Sequence, residues 1–66
     1  MEIVINGTAR EVADDMSLDR AVELISSAAT GVAAAVNGEV VRRGSWPSTR
    51  LASGDQVDVL TAVQGG

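Results

Sequence analysis

Sixty-six residues leave room for one hydrophobic core and one compact unit. The chain has no cysteine and no histidine, which excludes disulfides, thiolate zinc sites, thiol nucleophiles and the ordinary imidazole base, and with them most enzyme chemistry. Nine acids face five arginines and no lysine, a net charge of -4 that argues against nucleic acid as a partner, while 45% hydrophobic and 21% charged residues are the balance of a chain that folds.

Ile3 and Ile5 alternate with Glu2, Val4 and Asn6, and this strand pattern meets Asn6-Gly7, a strong signal for a two-residue hairpin turn. A second strand is expected from Thr8 to Val12. Asp14-Asp15-Met16-Ser17 is a cluster of helix-capping residues, and after it Leu18, Ala21, Val22 and Ile25 recur at helical spacing. Asp19 and Glu23 fall in the opening turns of that helix, where negative charge meets the positive end of its dipole; Ser26-Ser27 and Thr30-Gly31 mark its end.

Val32 to Val36 is a short apolar run between Gly31 and Asn37-Gly38. Alanine favours helix, but five residues between glycine breaks are too few for a stable one, so the run reads as a central strand buried on both faces. It is the longest apolar stretch and far short of the roughly 20 residues that cross a bilayer. Met1 is followed by Glu2 rather than by a basic leader, and the expectation is a cytoplasmic protein with no membrane partner.

Asn37-Gly38 offers a second hairpin turn with Glu39 to Arg42 as the partner strand. Arg43 to Asp55, which carries Gly44, Pro47 and Gly54, reads as a loop with a turn of helix around Trp46 to Arg50. Val57, Val59, Thr61 and Val63 then alternate with Asp58, Leu60 and Ala62 as a last strand. A hairpin, a crossover helix and three more strands describe an α+β domain with one mixed five-stranded sheet packed on one helix. A right-handed crossover lets the last strand lie beside the first in the middle of the sheet, the arrangement of a β-grasp, or ubiquitin-like, fold. Acidic residues concentrate before Leu24, where six acids oppose two arginines, and this half suits either a basic protein surface or plain solvation.

The last strand delivers the chain into Gln64-Gly65-Gly66. One reading is a frayed end. The other follows from chemistry. Glycine lacks a β-carbon, so Gln64-Gly65-Gly66 can thread a narrow cleft and carry the Gly66 carboxylate into a partner's active site. A carboxylate is a poor electrophile until it is joined to AMP as a mixed anhydride; sulfur can then attack, leaving a C-terminal thiocarboxylate on a chain with no thiol to interfere. Trp46, the only aromatic residue, reads first as a partly buried lid on the core and second as a partner contact. Arg42, Arg43 and Arg50 read as a solvated loop or as a clamp for an acidic partner or phosphate, and Asp55 as a support for the turn after Gly54.

The run from Val32 to Arg43 through Trp46, then Leu51, Gly54-Asp55, Val57 and the closing Ala62-Val63-Gln64-Gly65-Gly66, resembles the ThiS family of thiamine-biosynthesis sulfur carriers. The likeness extends over nearly the whole chain, its first half matching mainly in pattern. It implies a β-grasp fold for residues 1–66 as a single sulfur-carrier domain with a flexible Gly-Gly tail. It also implies adenylation of Gly66 by an E1-like (ThiF-like) enzyme using ATP and magnesium, and delivery of thiocarboxylate sulfur to a ThiG-like thiazole synthase. Nucleotide and magnesium then belong to the activating enzyme, and this chain binds no cofactor or metal and has no catalytic residue of its own. Rival readings are a sulfur carrier for molybdopterin, cysteine or tRNA thiolation, a modifier joined to lysines through Gly66, and an unmodified β-grasp interaction module. The short length and the Trp46 segment favour thiamine.

Overall fold

The computed structural model describes residues 1–25 and 31–61. Strands β1 (Glu2–Ile5) and β2 (Thr8–Glu11) form the expected hairpin, with Ile5 opposite Thr8. Between them Asn6 and Gly7 both take positive φ, +51° and +81°, the two left-handed positions of a type I′ turn, whose twist matches that of the strands it joins. β2 stops at Glu11, one residue short of the expected Val12, whose N–H still donates to the Met1 carbonyl at 2.8 Å.

Helix α1 (Leu18–Ile25) turns Leu18, Ala21 and Val22 into the core, the face that the spacing indicates. The expected helix end at Ser26-Ser27 and Thr30 lies outside the described residues. The start of α1 is tied to the far half of the chain: Leu18 N–H donates to Thr49 O at 2.8 Å, and Leu51 N–H to Met16 O at 2.9 Å.

Strands β3 (Val32–Val36) and β4 (Glu39–Val41) form the second hairpin, again through an Asn-Gly turn with φ of +51° and +84° at Asn37 and Gly38. β4 ends one residue before the expected Arg42. The helical turn comes earlier than the sequence indicates, as a 3-10 helix over Arg43–Ser48, held by i to i+3 bonds from Ser45 N–H to Arg42 O and from Thr49 N–H to Trp46 O. Its placement follows the tryptophan: Trp46 is 5% exposed, and its indole N–H donates to Val41 O at 2.8 Å.

β5 (Gln56–Thr61) is the middle of a mixed sheet of order β2-β1-β5-β3-β4. It runs parallel to β1, with Ile5 opposite Val57, and antiparallel to β3, with five pairs from Val36–Val57 to Val32–Thr61. One face of the sheet is covered. Ile3, Ile5, Ala34, Val57 and Val59 point into the layer filled by α1, Trp46 and Leu51, and among the described residues no polar or charged side chain is buried there. The reading of β3 as buried on both faces is therefore corrected: only Ala34 is buried, while Ala33 is exposed. β3 does have a neighbour on each edge, but a single helical layer covers a single face, and the short run of alanines reflects thin packing rather than double burial.

Candidate functional site

The part of the molecule that leads to Gln64-Gly65-Gly66 is the end of β5. It is the central strand, bonded to β1 on one edge and β3 on the other. Its entry is fixed by the turn before it. Gly54 takes φ +88°, and the Asp55 carboxylate accepts from Ala52 N–H at 2.7 Å and from the Asn37 side-chain amide at 3.0 Å, the supporting role read for Asp55 from its place after Gly54. The last pair in the described ladder is Thr61 with Val32. Gln64, Gly65 and Gly66, and Ala62 and Val63 of the expected strand, lie outside the described residues.

The uncovered face of the sheet flanks this strand. Leu60 is 69% exposed and sits opposite Ala33; Val40 is 76% exposed and sits opposite Ala35. Val4 and Ala9 pair on the same face farther across the sheet. Gln56 and Asp58 of β5, with Glu2 and Glu11 opposite each other at the β1–β2 end, add polarity and negative charge. The result is an exposed apolar patch of Leu60, Ala33, Ala35 and Val40, separated from Val4 and Ala9 by Gln56 and Asp58 of the central strand, and it continues into a concavity lined by Gly31, Val32, Ala33, Leu60 and Thr61. Leu60 is a residue whose role sequence reasoning passed over. The signal was present: an aliphatic side chain on the phase of β5 opposite to the core valines has no place inside.

The arginines named from the sequence do not converge. Arg42 is exposed just after β4, and Arg43 lies over the Trp46 ring, 5.4 Å from guanidinium carbon to centroid. Arg50 pairs with Asp15 near the start of α1, 3.7 Å to its carboxylate and 3.2 Å to its carbonyl oxygen. Trp46 sits in the core beneath Arg43, which leaves little ring surface for the partner contact given as its second reading. Among the described residues, no three acidic side chains come together as a metal site. The arrangement of the described residues offers an apolar face and a central strand hydrogen-bonded on both edges.

A five-stranded mixed sheet of this order over one helix is the β-grasp of ubiquitin-like proteins, so the chain is a small β-grasp domain. The crystal structure of the thiamine biosynthesis protein ThiS from Geobacter metallireducens superposes with a TM-score of 0.83 at 29% identity, both chains covered in full. An NMR solution structure of a thiamine biosynthesis protein from the same organism gives 0.80 at 28% identity, covering all of this chain and 88% of the other. The sulfur carrier protein ThiS of Escherichia coli strain K12 is 27% identical over 66 residues, the whole of both chains. The sequence pattern of the ThiS family matches residues 3–66, and the chain belongs to that family.

Proposed function

We propose that this chain is a sulfur carrier for thiamine biosynthesis, a protein co-substrate rather than an enzyme, working in the cytoplasm. The observation that carries the reading is the family match running through residue 66, on a fold whose central strand leads into Gly65-Gly66. In this reading an E1-like (ThiF-like) enzyme binds ATP and magnesium and joins AMP to the Gly66 carboxylate, releasing pyrophosphate. A sulfur nucleophile then displaces AMP, and the resulting thiocarboxylate gives its sulfur to a ThiG-like thiazole synthase.

The domain supplies three things to this chemistry. β5, held on both edges, is a stiff base for the tail, and the five residues after Thr61 span at most about 16–18 Å when extended. The open face beside β5, with Leu60 and Val40, is where the activating enzyme sits; Asp58 on the same face suits a basic side chain on the partner. Finally, the chain has no thiol to divert the activated carboxylate or to trap the sulfur.

The test is intact-mass and fragmentation analysis after incubation with a cognate activating enzyme, ATP and a sulfur source. The expected change is one oxygen exchanged for sulfur at Gly66. No change at Gly66 with an enzyme shown to be competent removes the carrier reading. For the pathway, the chain should restore growth without thiazole to a host lacking its thiamine sulfur carrier; rescue of a molybdopterin-carrier mutant instead reassigns it.

A further inference from the structure

We infer that Asn6 is a positioning residue for the C-terminal tail: its side-chain amide replaces the missing next rung of β1 and holds β5 at Val59, two residues before the strand ends at Thr61. The inference rests on the sulfur-carrier reading for its consequence, and on hydrogen-bond geometry for its substance. Along the edge of β5 that faces β1, alternate residues present their peptide groups. Asp55 O accepts from Val4 N–H at 3.0 Å, and Val57 O accepts from Asn6 N–H at 2.9 Å. Val59 is next in that series. By then the partner chain has turned away through Asn6-Gly7 into β2, and no peptide of β1 is left to meet it.

The Asn6 side chain meets it instead. Val59 N–H donates to Asn6 Oδ1 at 2.8 Å, and Asn6 Nδ2 donates to Val59 O at 3.2 Å. A primary amide carries the same donor and acceptor as a peptide group, so the pair of bonds extends the parallel ladder by one rung across 53 positions of sequence. Asn6 thus does two jobs: it accepts the left-handed backbone of the turn, and it closes the ladder.

Asn37 supplies an internal control. It occupies the same position of an equivalent turn, also at φ +51°, and its side chain likewise grips β5, accepting from Gln56 N–H at 2.9 Å and donating to Asp55. Its grip is on the first residue of the strand, and that of Asn6 is on the half facing the tail. Loss of either weakens the domain. Only loss of Asn6 frees the β1-facing edge of Val59, so only there does the half of β5 that leads to the tail lose its hold on β1.

Asn6→Gly and Asn37→Gly isolate the side chains, because glycine takes the same positive φ without strain. Asn6→Asp keeps an acceptor for Val59 N–H and sets a second carboxylate oxygen against Val59 O. The full-length variants are compared by thermal melting, by amide exchange at Val59, and by the kinetics of Gly66 adenylation. In Asn6→Gly, exchange at Val59 should rise at least about tenfold, the scale of two lost hydrogen bonds, and in Asn6→Asp by less, because its carboxylate still accepts from Val59 N–H while only the bond to Val59 O is lost. KM for the carrier should rise about tenfold, with kcat within about twofold, since ordering of the tail precedes the chemistry. Asn37→Gly should lower the melting temperature without either change. Unaltered Val59 exchange in Asn6→Gly overturns the rung, and equal KM shifts in both glycine variants overturn positioning in favour of stability alone. If the parent protein is not adenylated at all, the carrier reading fails and the tail role with it, while the exchange arm still decides whether the rung exists.

Discussion

The same substitution at two leucines should separate folding from partner recognition. Leu18 is fully buried where α1 meets the rest of the core, and Leu60 is 69% exposed on the open face. Leu18→Ala removes a core side chain and leaves a cavity, a change that costs about 2–5 kcal/mol. Alanine's slightly better helix propensity returns only a few tenths of a kcal/mol. A domain of this length holds roughly 3–10 kcal/mol in total. A loss near the middle of the cavity range, about 3 kcal/mol, corresponds to a fall of about 12–24 °C in Tm for a domain of this size. Leu60→Ala empties no cavity and should move stability by less than about 0.5 kcal/mol. Trp46, buried and the only aromatic residue, reports unfolding of both variants by fluorescence. The activation assay should reverse the ranking. Leu18→Ala, assayed while folded, should keep its kcat/KM, and Leu60→Ala should lose about tenfold or more, the worth of one leucine buried at an interface. Equal melting shifts for the two variants refute the burial argument, and normal activation of Leu60→Ala refutes the assignment of the open face to the activating enzyme.

Adding one alanine after Gly66 displaces the carboxylate by about 3.3–3.6 Å. Adenylation should fall by more than about a hundredfold with an unchanged melt, and normal activation would show that Gly66 is not the reacting end. Val59→Asp places an unpaired charge at a core position of the central strand and should abolish the cooperative fluorescence transition. Gly38→Ala and Gly44→Ala both add a methyl group to open space, with no atom beyond the adjoining residues within 4 Å of where either new β-carbon would stand. Only Gly38 sits at positive φ, so denaturant titration should show a loss of about 1–2 kcal/mol there and no loss at Gly44.

Much of the architecture is local, and local rules reach it. The two Asn-Gly turns, the period-two alternation of β1 and β5 and the 3.6-residue spacing of Leu18, Ala21, Val22 and Ile25 each follow from how neighbouring residues constrain one another. The Gly65-Gly66 pair on which the carrier proposal turns is likewise read from the chain alone. Tertiary structure decided the rest. Periodicity separates the two faces of a strand but does not say what covers them, so only the single helical layer shows that β3 is half-exposed and that Leu60 faces outward. Asn6 is legible as a turn residue because its backbone role depends on Gly7 beside it. Its second role depends on Val59, brought within 2.8 Å by the parallel pairing of β1 with β5, and no pattern within a single segment contains that meeting.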